Sequence, residues 1–142
     1  MDNVIQVQEA MHSSFLRKEK GMLVKLDMAN AFDRVKHSFL FSVLQSFGFS
    51  SAFLNLIKAC ILNPWIAPLV NGRPTNFFQA SKGLQQGCPL SPFLYILMVD
   101  SLSRKLSAGK VDGIIPGISA AGVEAINHAL FTNDTLLLGG HL

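Results

Sequence analysis

Two acids in this sequence stand where a divalent cation and a phosphate could be handled. Asp27 ends the apolar run Met22-Leu23-Val24-Lys25-Leu26, and Asp134 follows Asn133 between the stretches His128-Ala129-Leu130-Phe131 and Leu136-Leu137-Leu138. A carboxylate at a strand end, facing another from a neighbouring hairpin, supplies the hard oxygen ligands that Mg²⁺ takes while it keeps water for a phosphate to displace. Two such ions about 3.5–4 Å apart stabilise both the attacking and the leaving oxygen of a nucleotidyl transfer. Asp27 and Asp134 are thus the candidate metal ligands. The plainer alternative for Asp27 or Asp33 is to cap the helix that follows.

A second stretch, Lys82-Gly83-Leu84-Gln85-Gln86-Gly87-Cys88-Pro89-Leu90-Ser91-Pro92, suits a nucleotide. Gly87 allows backbone to approach a ligand closely, and the Gln86 amide can hydrogen-bond a base or sugar. A helix opening at Ser91, with Pro92 at its first position, favours anions at its N-terminus. A turn followed by a helix cap explains the same residues without a ligand.

The surrounding elements must position these groups. Val4, Val7, Met11, Phe15 and Leu16 fall at helical spacing over residues 3–19, and residues 22–27 form a short strand ending at Asp27. Phe39, Leu40, Val43, Leu44 and Phe47 mark a helix closed by Gly48, and Phe53, Leu54, Ile57, Cys60 and Ile61 mark another. Asn71-Gly72 between residues 65–70 and 75–79 predicts a hairpin. The helix from Ser91 turns Phe93, Leu94, Leu97, Leu102 and Leu106 inward and ends at Gly109. Residues 111–122, rich in Gly and Pro, read as loop or short edge strand, and residues 125–138 as a hairpin with Thr132, Asn133 and Asp134 at its tip. Strands and helices that do not strictly alternate give an α+β fold, with helices on one face of a small antiparallel sheet.

At 142 residues the chain is one domain of ordinary size, and its hydrophobic fraction of 49% against 15% charged residues excludes a disordered chain. A net charge of +3 accommodates nucleic acid without pointing to it. Cys60 and Cys88 fit neither a zinc pattern nor a disulfide framework. The N-terminus lacks the design of a secretion signal, and no apolar run approaches the roughly 18 residues of a membrane span, so an intracellular protein without membrane partners is expected. His12, His37, His128 and His141 have no spaced partners and receive no catalytic role.

Taken in order, three segments resemble a known family. Leu26-Asp27 with Ala31-Phe32-Asp33-Arg34-Val35, then Lys82-Gly83 with Gln86-Gly87-Cys88-Pro89-Leu90-Ser91-Pro92, then Phe131-Thr132-Asn133-Asp134 are similar to motifs A, B and C of the reverse transcriptases of LINE-type non-LTR retrotransposons, those of plants in particular. The likeness runs from Gln8-Glu9-Ala10 to Gly140. It implies a partial reverse transcriptase domain over residues 1–142, with motif A at about 22–36, motif B at about 81–94 and motif C at about 128–138. The implied fold is a palm, a ferredoxin-like split βαβ antiparallel sheet with helices packed on one face, incomplete because fingers and thumb are missing. The implied activity is RNA-directed DNA synthesis, the template-directed addition of a dNTP to a DNA primer on an RNA template, with Mg²⁺ or Mn²⁺. In that scheme Asp27 and Asp134 are catalytic metal ligands, and Phe32 is the aromatic gate that clashes with a ribose 2′-OH. Gln86 and Gly87 line the nucleotide site, while Lys25, Arg34, Lys36 and Lys82 hold template and primer.

Asn133 departs from that pattern, standing where the family has the first acid of motif C. Losing one charge about 4 Å from a cation at an effective dielectric near 20 forfeits about 4 kcal/mol, on the order of a thousandfold in rate. Thr132, Asn30 and Gln85 also replace the usual residues. A polymerase impaired in catalysis, a non-catalytic nucleic-acid-binding module and a translated remnant without function all remain open from sequence.

Overall fold

The computed structural model describes residues 3–62, 64–120, 123–131 and 134–140. They fall into two compact units, Met1–Ala29 with Asp100–Leu142, and Asn30–Val99. The described residues form four helices and small antiparallel sheets, a mixed architecture compatible with a partial reverse transcriptase domain.

The first unit is built on β1 (Gly21–Asp27), β8 (His128–Phe131) and β9 (Asp134–Gly140), a three-stranded antiparallel sheet in the order β1-β9-β8. Leu136 and Leu138 alternate with Thr135 and Leu137 along β9, so one side of the strand meets α1 (Asn3–Leu16). That side holds the core: Val7 and Ala10 of α1 with Ile118, Ala129 and Leu138, flanked by Ile126 and Leu136. The apolar stripe of α1 is narrower than its periodicity predicts. Met11, Phe15 and Leu16 are exposed, and the covered line runs through Val7, Ala10 and Ser14 instead.

His128 alternates with Ala129 and projects to the other side of β8. There its ring meets the hydroxyl of Ser103, in the last helix, at 2.7 Å. Residues of this sheet therefore engage helices on alternate sides, a departure from the single covered face that the sequence predicts. A further difference lies just before it: β6 (Ile118–Ala120) pairs with β7 (Val123–Ile126), and the β8–β9 pair begins at His128 rather than at residue 125.

In the second unit α2 (His37–Ser46) buries His37, Leu40, Val43 and Leu44, and α3 (Ser51–Ile61) buries Leu54, Ile57 and Ile61. The Ser50 hydroxyl accepts from the Phe53 amide and caps α3. α2 closes at Gly48 as predicted, with the Phe49 amide donating to Leu44 and that of Gly48 to Gln45. The Asn71-Gly72 turn has φ of 51° and 76°, the pair of positive values that a two-residue hairpin turn demands. It joins β3 (Leu69–Val70) to β4 (Arg73–Pro74), while β2 (Trp65–Ile66) pairs with β5 (Phe78–Gln79) below it.

α4 (Leu90–Val111) begins earlier and ends later than Ser91 and Gly109 indicate. Its closing hydrogen bonds run from Ile114 to Gly109 and from Gly113 to Lys110, so Gly113 takes the terminating role. Leu94 and Tyr95 are its buried apolar residues, whereas Phe93 and Leu102, expected inside, are exposed.

Candidate functional site

Asp27 and Asp134 are register partners across β1 and β9. The last residue of one strand thus faces the first residue of its antiparallel neighbour, and like charges so placed repel. Lys25 relieves this. Two residues back on β1, it projects to the same side, and its ammonium lies 2.8 Å from Asp134 Oδ2. The hydrogen bond to Asp134, and then the charges of Asp134 and more weakly Asp27, hold the Lys25 pKa above its usual value. A protein cation thus already attends Asp134. Neither Asp27 nor Asp33 stands at the start of α2: the residue there is Lys36, whose side chain makes no capping bond.

Asn133 and Thr132 lie outside the described residues. Among the described residues no cluster of three or more His, Cys, Asp or Glu side chains is arranged to hold a metal.

In the second unit the segment after β1 folds into a tight turn, with the Asp33 and Arg34 amides both donating to the Asn30 carbonyl, and Asn30 at φ 53°. Two hydrogen bonds lace this turn to the glycine-containing loop: Leu84 to the Phe32 carbonyl at 2.9 Å, and Gly83 to that of Val35 at 2.9 Å. Gly83, at φ 92°, makes this approach feasible, because a Cβ there would stand 3.1 Å from both Cα and the carbonyl oxygen of Asp33. The buried His37 completes the clamp from α2. Its Nε2 lies 2.8 Å from the Gly83 carbonyl, an acceptor, so Nε2 carries the proton. Its role is positional, one that its lack of a spaced partner in sequence had hidden.

The clamp leaves a cavity of about 360 Å³ lined by Phe32, Gln85, Gln86, Gly87, Ser91 and Pro92. All three residues predicted to contact a nucleotide, Phe32, Gln86 and Gly87, are brought together here. Gln86 Nε2 reaches Asp33 Oδ1 at 3.5 Å, a long hydrogen bond that a ligand can replace at small cost.

Ser91 is not the helix cap the sequence predicts. It lies inside the first turn of α4, 1% exposed, and its hydroxyl donates to the Gln85 carbonyl at 2.8 Å. The Leu90 backbone N–H, and more weakly Ser91, hold the Cys88 thiol pKa below its usual value. Cys60 and Cys88 are both free thiols.

Of the cations assigned to template and primer, Arg34, Lys36 and Lys82 are exposed. Lys25 is engaged with Asp134 instead. Among the described residues no helix is long and apolar enough to cross a membrane.

Comparison with known proteins places the chain. Residues 2–141 match the family described as reverse transcriptase (RNA-dependent DNA polymerase). The chain is 32% identical over 139 residues to the retrovirus-related Pol polyprotein from type-1 retrotransposable element R2 of Popillia japonica, covering 96% of this chain and 22% of that protein. It is 31% identical over 113 residues to the transposon TX1 uncharacterized 149 kDa protein of Xenopus laevis, covering 78% of this chain and 9% of the other. An uncharacterized mitochondrial protein of Arabidopsis thaliana is 41% identical over 68 residues, 47% of this chain and 56% of its own length. The chain spans about a fifth of the length of the Popillia polyprotein and a smaller share of the TX1 protein. With a family match over nearly its whole length and relatives among retrotransposon Pol proteins, the chain belongs to the reverse transcriptase family, of the non-LTR retrotransposon kind.

Proposed function

We propose that this chain is part of a retrotransposon RNA-directed DNA polymerase, its palm, and that it descends from an enzyme adding dNTPs to a DNA primer on an RNA template. The observation that carries this reading is the direct opposition of Asp27 and Asp134, with the Lys25 ammonium bound to one of them. The order β1-β9-β8, with α1 over one side, is consistent with the ferredoxin-like sheet of a palm.

Asp27 and Asp134 would hold Mg²⁺, or Mn²⁺ in its place. Bound there, a divalent ion would supply charge stabilisation for the oxygens that exchange partners in nucleotidyl transfer. For both Asp134 oxygens to be available to such an ion, Lys25 would have to release its hold on Asp134. Phe32 presents its ring to the sugar and excludes a 2′-OH, while Gln86 and Gly87 contact the nucleotide from the loop before α4. The residues of motifs A, B and C then occupy about 22–36, 81–94 and 128–138.

Asn133 weakens this machinery. An amide oxygen can still coordinate, but without charge it holds a cation less tightly, and a loss of about a thousandfold in rate follows from a charge term of about 4 kcal/mol. Primer extension on an RNA template with Mg²⁺ tests the reading. Extension should be near background for the natural chain and rise by several hundredfold or more in Asn133→Asp, and the gain should vanish on adding Asp27→Asn. An Asn133→Asp chain no better than the natural one contradicts it.

A second reading rests on Arg34, Lys36 and Lys82, exposed cations on the second unit. They suit a backbone-binding surface that works without chemistry. Salt-dependent binding to an RNA–DNA hybrid by the natural chain, unchanged in Asp27→Asn, favours this reading over the catalytic one.

A further inference from the structure

Phe32 sits in an irregular turn, where neither helix nor strand geometry fixes the direction of its side chain. Its carbonyl is tied to the Leu84 amide, but that bond leaves the ring free to rotate. What holds the ring is Tyr95. The two rings stack with centroids 4.6 Å apart and planes 21° from parallel. Tyr95 is 5% exposed and does not line the cavity that Phe32 borders, so it backs the ring from the protein side.

Tyr95 is itself rigidly placed. It lies one helical turn after Ser91 on α4, and so on the same face. Ser91 is 1% exposed and hydrogen-bonds the Gln85 carbonyl of the loop that carries Gln86 and Gly87. One helix face therefore fixes both walls of the cavity: the loop through Ser91 and the aromatic gate through Tyr95. Among the described residues the buried Tyr95 hydroxyl has no hydrogen-bond partner, so what this residue offers the site is its ring rather than its polar atom.

We propose that Tyr95 is a positioning residue for Phe32, setting the plane of the gate ring and with it the preference for deoxyribonucleotides over ribonucleotides. This rests on the nucleotide reading of the Phe32 cavity. Loss of the stacked partner lets the Phe32 ring tilt, and a tilted ring clashes less with a 2′-OH.

The test measures dGTP and GTP binding to the full chain with Mg²⁺, together with the aromatic NMR resonances of Phe32. Tyr95→Leu should move the Phe32 ring resonances as the ring current of the stack is lost, and should lower the dGTP-over-GTP preference by about five- to tenfold, the size of effect expected from one lost aromatic contact. Tyr95→Phe keeps the stack and should leave both readouts as in the natural chain. Should Tyr95→Leu fail to fold, Tyr95→Met removes the ring at similar volume. Phe32→Val separates the two levels of the claim. A preference that collapses in Phe32→Val but survives Tyr95→Leu overturns the positioning role and leaves the pocket reading standing. A natural chain that binds neither nucleotide, or binds both equally, overturns the pocket reading and this proposal with it.

Discussion

Lys25 lies 2.8 Å from the Asp134 carboxylate, on the same side of the sheet as Asp27, the register partner of Asp134. Two acids held face to face repel each other, and this ammonium offsets the repulsion from within the same strand. A divalent cation seated at this pair, as proposed, would therefore compete with Lys25 for one carboxylate. Lys25→Met should bind Mn²⁺ about two- to fivefold more tightly than the natural chain, since an exposed charge nearby is screened and worth little more. Manganese EPR titration measures this, and weaker binding by the variant would assign Lys25 to the ligand set rather than to competition with it.

The Gly83 backbone comes close enough to Asp33 that a side chain has no room, and its φ of 92° disfavours one in any case. Gly83→Ala should cost about 1–3 kcal/mol of stability, the range for forcing a non-glycine residue into such a conformation. The lower denaturant midpoint should come with loss of the His37 to Gly83 hydrogen bond, visible as a changed tautomer signal in the His37 ring. An unchanged midpoint would show that the two loops are not held against each other.

His128 carries a pH dependence. The Asn127 side-chain nitrogen donates to the Leu106 carbonyl, so its oxygen accepts from His128 Nδ1, and Nε2 accepts from the Ser103 hydroxyl. The ring is thus held neutral, and burial, aided by the charge of Lys110, lowers its pKa from the usual 6.5. A base with a depressed folded pKa contributes stability above its unfolded pKa. That contribution falls away as pH drops through 6.5 toward the lower folded value. The melting temperature should decline between about pH 7.5 and about pH 5.5, and His128→Gln should flatten the decline. Equal slopes in the two proteins would show that His128 takes up its proton at the same pH folded and unfolded.

If Arg34 and Lys82 contact a nucleic-acid backbone, replacing both with Ala should reduce the slope of log affinity against log salt by about two for a duplex ligand. Filter binding to an RNA–DNA hybrid at several salt concentrations reads this slope. An unaltered slope would place the backbone elsewhere on the surface.

Local chemistry in the sequence located β1, the Asn71-Gly72 turn, α2 and α3, because each carries its own signal: an apolar run, a turn dipeptide, a helical period. Sequence also supplied the residues that meet in the Phe32 cavity. Less legible was which face of a helix becomes covered. α1 and α4 carry apolar residues on several sides, so periodicity alone favoured Met11, Phe15, Phe93 and Leu102, all of which are exposed. The end of α4 was misplaced because Gly109 and Gly113 are equal candidates until the closing hydrogen bonds are seen. The β6–β7 pairing was obscured by the Gly and Pro residues around it. The partners of Lys25, Phe32 and His37 are distant in sequence, and pairings of that kind leave no local trace.

The account turns on whether Asp27 and Asp134 together seat a divalent cation in this chain. Thermal unfolding in Mg²⁺ and in chelator, for the natural chain and for Asp27→Asn and Asp134→Asn, tests this most directly. Mg²⁺ should raise the transition of the natural chain, since a ligand that binds only the folded state stabilises it, and should leave that of each variant unmoved. A Mg²⁺ shift that persists in both variants, or that the natural chain lacks, would contradict the assignment.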